Sequence, residues 1–434
     1  MLSENQWLAL GIFILSYGLI ISNKVHRTIA ALLGALLVGM LVLPMEELLK
    51  AENWETLGFI FGMMIVIAAM EESGFFRWLG LHSAKIVRLD PLKLFILFPF
   101  ITALLSAFVS SITVMIFMAT LTLEVCSILK MRPLPLILSE ICASNIGGVS
   151  TMVGDPPNVI LGTYFHLSFL DFVVNTGPVG VVAFVVNTAI FIFFFRKLIF
   201  SVREDISKNP DILDEVNRMH PREAIRDRWL FYLGIFAFIY IVVLLVTNYK
   251  TGFGVAFIAL TSAAIVLLLG GPNKRMPVIL ERVDWVTLLF FACLFLIVGG
   301  MEYTGLLRIA AEYIGNVSGG NFFVALTIIL WFCAIGSAFI DNVPFAATLA
   351  PIIKYLSASF HFPLTPLIWS TAIGTDIGGN GTPIGASANV VAIAIFEKNR
   401  GETVTWTEYC KYCFSSMALV ILLCNILIYL LYVM

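Results

Sequence analysis

The sequence predicts an all-α polytopic membrane protein made of two inverted-topology repeats of five transmembrane helices. Each repeat should carry a re-entrant hairpin and a broken helix. Three observations lead there. Of the 434 residues 60% are hydrophobic and 12% charged, whereas soluble domains carry roughly 25% charged residues. Continuous apolar runs of spanning length recur along the chain, instead of the alternating pattern of an outer-membrane barrel. The two halves also share residues at one constant spacing. This composition excludes a soluble enzyme, a nucleic-acid binder and a disordered protein. An ATPase, a nucleotide enzyme and a zinc protease fit poorly, because the chain has no Walker loop, Rossmann fingerprint or H-E-x-x-H motif.

The elements follow in order. A helix needs about 20 residues to cross the hydrocarbon core. Runs near 7–22, 28–43, 56–71 and 177–195 qualify in the first half, and runs near 229–247, 252–270, 285–301 and 413–433 in the second. The start, MLSENQ, lacks a basic leader and a cleavage site, so the first run is expected to stay as a helix. Segments 134–163 and 365–396 are long enough to cross but are interrupted by glycine-rich sequence, which predicts two broken helices. Segments 94–129 and 322–356 would each be about 50 Å as one helix, too long for one crossing and short for two. Each is expected to be a hairpin of two half-helices. The result is ten crossings and two hairpins, divided as repeat 1–195, cytoplasmic linker 196–228 and repeat 229–434.

The repeat itself is read at an offset of 231. Trp54, Thr56, Leu57, Met70, Glu71 and Gly74 match Trp285, Thr287, Leu288, Met301, Glu302 and Gly305. Ser106-Ala107-Phe108 matches Ser337-Ala338-Phe339, and Ile146, Gly147, Gly148, Thr151, Gly154 and Asn158 match Ile377, Gly378, Gly379, Thr382, Gly385 and Asn389. Five crossings per half make the halves inverted. If connections 23–27, 72–93, 130–132, 196–228, 271–284 and 397–411 are cytoplasmic, they hold 22 of the 26 Lys and Arg residues, which places both termini outside. Inverted repeats with discontinuous helices are the arrangement of alternating-access carriers.

In the stretch from Asn145 to Asn158, two glycines unwind the helix, and Asp155 before Pro156 reads as an N-cap followed by a first-turn proline. The second half-helix then starts at membrane depth, with free N–H groups and Asn158 facing a cavity. The stretch from Asp376 to Asn389 is its counterpart. Kinked packing helices would show the same glycines, but two polar breaks in register favour a binding site. Ser110-Ser111 and Asp341-Asn342 fall at the hairpin tips, where capping and ligand contact are compatible roles. Asp155, Asp341 and Asp376 lie at predicted membrane depth, with Glu140 nearby in the first broken helix, and no Lys or Arg joins them. That charge pattern favours a cation, or a neutral polyhydroxyl solute exchanged for protons. It would repel an anion unless the half-helix N-termini and a bound cation held it. The seven cysteines, including Cys142 and the Cys410/Cys413 pair, read as small buried hydrophobes, not as disulfides or a zinc site.

These strings resemble the ion-transporter superfamily that holds ArsB-type arsenite permeases, the P protein, NhaD-type sodium/proton antiporters and citrate/dicarboxylate carriers. The resemblance rests on N-I-G-G-V-S-T-M-V-G-D-P-P-N at 145–158, S-A-F-I-D-N-V-P-F at 337–345, G-G-N-G-T-P-I-G-A-S-A-N-V-V at 378–391 and E-K-N at 397–399. It implies a scaffold plus a moving transport domain, often in a dimer, coupled to protons or sodium. It carries binding roles to Asn145, Gly147, Gly148, Thr151 and Asn158, and to Asn342, Gly378, Gly379, Asn380, Thr382, Ser387 and Asn389. The tip serines Ser110 and Ser111 join them as substrate contacts, and Asp155, Asp341 and Asp376 are the coupling candidates. Antiporter-like relatives tend to carry Asp-Asn at both tips, whereas the first tip here is Ser110-Ser111. That departure, with the missing Ser-Asn-Thr pair of dicarboxylate carriers, leans toward a small neutral substrate. The expectation is a secondary efflux carrier exchanging neutral arsenite or antimonite for protons, with sodium as another coupling ion. A sodium/proton antiporter or a citrate/dicarboxylate-type cation-coupled carrier stands as the alternative. No resident metal, cofactor or nucleic acid is expected. The lipid bilayer of the inner or plasma membrane, a homodimer and a cytosolic ATPase complete the expected partners.

Overall fold

The computed structural model describes residues 2–22, 24–87, 90–208, 220–271 and 276–433. The middle of the expected linker, 209–219, lies outside them. The first half folds as α1 (Glu4–Ser22), α2 (Arg27–Leu41), α3 (Met45–Ala51), α4 (Trp54–Ser73) and α5 (Phe75–Ile86). It continues as α6 (Pro91–Ser106), α7 (Ser111–Ile128), α8 (Leu134–Gly148), α9 (Pro156–Tyr164) and α10 (Phe169–Lys208). After a 3-10 turn at Pro221–Ala224 come α11 (Arg228–Thr251), α12 (Val255–Leu269), α13 (Met276–Glu281), α14 (Trp285–Tyr303) and α15 (Leu306–Val317). The chain closes with α16 (Phe322–Phe339), α17 (Asn342–Phe360), α18 (Leu364–Gly378), α19 (Ser387–Arg400) and α20 (Trp406–Tyr432).

Each helix of the first half thus has a counterpart ten helices later. The starts of α3, α4, α5, α6, α7 and α9 all lie 231 residues before those of their partners. Equivalent residues also do equivalent local work. The Asn53 side chain caps α4 by accepting from the Thr56 amide at 3.0 Å, and Asp284 caps α14 by accepting from Thr287 at 3.0 Å. Gly74 and Gly305 take left-handed φ of 86° and 77°, which lets the chain turn straight from a long helix into a short one.

The halves interlock. α4 packs against α12 and α14 against α2. Within each half the first hairpin arm lies on the broken helix, α6 on α8 and α16 on α18; across halves α7 lies on α19 and α17 on α9. Small residues set how closely these pairs approach. A Cβ on Gly147 would sit 2.2 Å from the Ala103 carbonyl oxygen of α6, and one on Gly378 would sit 2.5 Å from the Ala334 backbone of α16.

Among the described residues nine helices are long and apolar enough to cross a membrane, namely α1, α4, α7, α10, α11, α14, α16, α17 and α20. Their outward faces carry large apolar side chains such as Phe193, Phe236, Leu289 and Leu431, as a lipid-facing surface requires. The hairpin arms have 16, 18, 18 and 19 residues. At about 1.5 Å per residue each is longer than half a bilayer. The stretch 72–93, read as a connection, instead contains the helix α5, and α15 is its twin. Both are amphipathic and carry charges such as Arg77, Lys85, Arg308 and Glu312, so a search for apolar runs passes over them. The helix α10 runs past the expected span and departs from helical geometry at Phe195, where the basic residues Arg196 and Lys197 begin. All seven cysteines are free, and every one except Cys410 is buried.

One turn between helices carries a perturbed acid. Glu52, between α3 and α4, is half-buried with Oε2 unbonded, and burial raises its carboxyl to about 7 from an ordinary 4.5. Folding therefore favours the protonated acid, so its contribution weakens as pH rises from 4.5 through 7. Thermal unfolding in detergent should show Glu52→Gln melting above wild type at pH 8, with the gap closing at pH 4.

Candidate substrate site

Two helices stop inside the molecule and restart, and the first question is how the freed backbone is bonded. The side-chain amide of Asn158 donates from Nδ2 to the carbonyls of Gly148 and Thr151, both at 3.0 Å, so one residue of α9 closes the gap behind α8. Asn389 repeats this on Gly379 at 2.8 Å and Thr382 at 3.0 Å. Thr151 and Thr382 in turn donate their hydroxyls to the carbonyls of Ala107 and Ala338 at the two hairpin tips. The two breaks also touch each other, because Asn145 Nδ2 donates to Asn380 Oδ1 at 2.8 Å and to Asn389 Oδ1 at 3.3 Å. All of these amides are buried.

With the breaks fixed, the N-terminus of each second segment is brought against a hairpin tip. In the first repeat Ser111 Oγ donates to Asp155 Oδ1 at 2.8 Å. In the second, Ser387 Oγ donates to Asp341 Oδ2 at 2.9 Å. The clasp is the same, but the carboxylate sits on the break in one repeat and on the tip in the other. A cavity of about 140 Å³ opens between the clasps, lined by the starts of α7, α9, α17 and α19 at Ser111, Pro156, Asn342 and Ser387. Apolar walls come from Phe59, Met63 and Ile67 of α4 and Phe291 of α14. Each helix start presents roughly half a positive charge, but α9 opens on Pro156 and Pro157, which have no N–H, and its next amides, Asn158 and Val159, already bond the Asp155 carbonyl, so its contribution is the dipole alone.

Two guanidinium groups also line this cavity, which corrects the expectation that no Lys or Arg stands with the aspartates. Arg27, the first residue of α2, places Nη1 2.6 Å from both Asp341 Oδ2 and Ser387 Oγ, with its guanidinium carbon 5.2 Å from the centre of the Phe290 ring. Arg282, ahead of α14, holds Glu71 and Glu72 at 2.5 Å each. Both arginines lie in expected connections along the sequence, and their reach into the cavity depends on contacts hundreds of residues away.

The expected site residues divide into two groups. Ser110, Ser111, Asn342 and Ser387 line the cavity, with the acids Asp155 and Asp341. Asn145, Gly147, Gly148, Thr151, Asn158, Gly378, Gly379, Asn380, Thr382 and Asn389 build the breaks behind it, through the amide and hydroxyl bonds above and through close packing. Asp376 is fully buried, beside the side chain of Asn342. Glu140 is equally buried, accepts from Thr122 Oγ1 at 2.7 Å and stands apart from the cavity. Asn145→Ala should remove the bonds between the breaks and leave buried amide oxygens without a donor, at a cost of about 1–3 kcal/mol. The check is a lowered melting temperature, with Asn145→Asp lowering it further.

A family model described as a citrate transporter matches residues 17–374. The 46 kDa membrane protein of Mycobacterium leprae is 32% identical over 413 residues, covering 93% of this chain and 94% of that protein. An uncharacterized transporter of Mycobacterium tuberculosis is 32% identical over 410 residues, 93% of each chain. The human P protein is 29% identical over 484 residues, covering 92% of this chain and 57% of the P protein. Among solved structures, the YdaH transporter of Alcanivorax borkumensis aligns over 98% of this chain and 97% of its own, with a TM-score of 0.52 and 13% identity, which speaks for the fold alone. The superfamily resemblance is supported, its ArsB-type branch is not, and the protein is a multi-pass membrane transporter, not an enzyme. With most of its length matched by that model, the chain belongs to the citrate transporter family.

Proposed function

We propose that the chain is a cation-coupled secondary carrier of a citrate-type carboxylate. The observation that carries this reading is the cavity where four helix N-termini meet two guanidinium groups. An anion gains there from four helix dipoles and from the amides at the starts of α7 and α19, which are already in place, without having to reorganise the protein. The case for a neutral metalloid hydroxide leaned on a site with acids and no cation. Arg27, paired with Asp341, and Arg282, paired with Glu71 and Glu72, remove the second half of that premise, and the family match favours the carboxylate.

In this reading Ser110, Ser111, Asn342 and Ser387 contact the substrate, and the residues of the breaks hold the N-termini in place. Asp155, Asp341 and Asp376 are the sites of the coupling cation, proton or sodium. The mobile unit consists of α6–α10 and α16–α20, moving against a scaffold of α1–α4 and α11–α14. The basic connections support an inner- or plasma-membrane orientation with both termini outside. A homodimer and an ATPase partner rest on the superfamily resemblance alone.

The test is purified protein in liposomes that enclose a pH-sensitive dye, challenged separately with citrate, arsenite, antimonite, Na+ and Li+, with protein-free vesicles as the baseline. Saturable proton movement with citrate is the expected outcome. A response to arsenite or antimonite and none to citrate would replace the carboxylate with a metalloid. Proton release on adding Na+ or Li+ alone would make the protein an antiporter.

A further inference from the structure

The two clasps differ in one respect that their shared geometry does not require. Asp155 is held by Ser111 of its own repeat, whereas Asp341 is held by Ser387 and also by Arg27, which arrives from α2. Arg27 lines the 140 Å³ cavity and also a second cavity of about 640 Å³, and Asp341 and Ser387 border both with it. Only Nη1 of the guanidinium is engaged; Nε and Nη2 donate to no group among the described residues. The Arg27 side chain is 29% exposed and that of Asp341 15%, so the pair is sheltered but reachable.

An arginine stays charged under all ordinary conditions, while an aspartate can be neutralised by one proton. In a sheltered cavity a guanidinium gains from a counter-charge, so a carboxylate beside Arg27 is favoured in both the empty and the loaded state. In the empty cavity that carboxylate is Asp341. An incoming carboxylate offers the same planar pair of oxygens, which a guanidinium binds well. We propose that Arg27 is the anchor for one carboxylate of the substrate and that Asp341 and the substrate take it in turn. Loading then links to protonation: a proton from solution binds the Asp341 carboxylate, its ion pair with Arg27 is released, and the substrate carboxylate forms the new pair. The charge on Arg27 is matched before and after. This rests on the carboxylate-carrier reading and adds the residue and the order of events that tie one proton to one carboxylate.

The other charged groups facing the pair have partners of their own. Asp155 is held by Ser111, Glu71 by Arg282, and Asp284 by the amide and hydroxyl of Thr287. His26, beside Arg27 on the same connection, accepts from the Thr28 amide at 3.3 Å through Nδ1. Asp341 is thus the cavity acid whose partner is the proposed anchor.

The experiment is net uptake of labelled citrate into proteoliposomes, with the KM measured from acidic to mildly alkaline pH and proton uptake per citrate counted. It compares wild type with Asp341→Asn, Arg27→Gln and the double variant. Citrate's own titration is common to all four, so the differences between them are read. Wild-type KM should rise with pH more steeply than that of Asp341→Asn, by up to tenfold per pH unit, the limit for one linked proton. Asp341→Asn should also move one proton fewer per citrate. Arg27→Gln should raise KM about tenfold or more at every pH. If it fails to fold because Asp341 is left unpaired, the double variant, which has no unpaired charge, must show the raised KM. Wild-type slope and stoichiometry in Asp341→Asn, or wild-type KM in either variant that lacks Arg27, would overturn the proposal while leaving the carrier reading intact. No citrate exchange by the wild type would overturn both.

Discussion

Backbone broken inside an apolar interior has to find its hydrogen-bonding partners within the protein. The organisation of this molecule depends on how that demand is met. At each break a single asparagine amide bridges the end of one segment and the loop before the next, and a threonine hydroxyl ties that loop to a hairpin tip. The hairpin therefore closes its own break and cannot be placed independently. Once both hairpins are set this way, the starts of four helices face one cavity, and the Asn145 amide joins the breaks across the pseudosymmetry. Residues that look like ligands in the sequence are, in this account, the joinery that makes a site from backbone.

Duplication supplies the frame, and departures from it supply the chemistry. The carboxylate–hydroxyl clasp recurs with its partners exchanged, Asp155 with Ser111 and Ser387 with Asp341. Two acids are thereby placed on opposite elements of a cavity that would otherwise be symmetric. Arg27 then joins one clasp only, coming from the helix pair that carries the α1–α2 connection. Tyr17 of α1 reaches the same hairpin arm, donating to the Pro344 carbonyl at 3.0 Å, and Tyr164 of α9 donates to Glu302 of α14 at 3.0 Å. These polar links between the outer helices and the hairpin-bearing core are the contacts that any displacement of that core has to exchange.

Much of this was legible in the sequence because it is local or repeated. The glycine-rich strings mark both breaks, and Asp155-Pro156 announces the start of α9. The two apolar segments of about 36 residues each fold as a pair of helices joined at a tip, but with arms of 16 to 19 residues, longer than the half-helices their length suggested. Their tips, Ser110-Ser111 and Asp341-Asn342, follow from where the arms must turn. What escaped was of two kinds. The helices α5 and α15 are short and amphipathic, so a search for apolar runs cannot see them, although Gly74 and Gly305 at matching positions hint at a turn into new helices. Arg27 was counted as one more basic residue in a short connection. Its partner Asp341 lies 314 residues further on, a distance no local pattern spans. The one available signal was its position directly at the head of an apolar run, where a basic residue with no local counter-charge can reach inward as readily as outward.

The most direct test of the account is an experimental structure of the protein with a bound carboxylate, citrate being the probe. The account predicts ligand density in the cavity between the starts of α7, α9, α17 and α19, with one carboxylate on Arg27 and Asp341 drawn away from it. Density elsewhere, or a ligand in this cavity with the Arg27–Asp341 pair intact and no oxygen near any helix N-terminus, would contradict it.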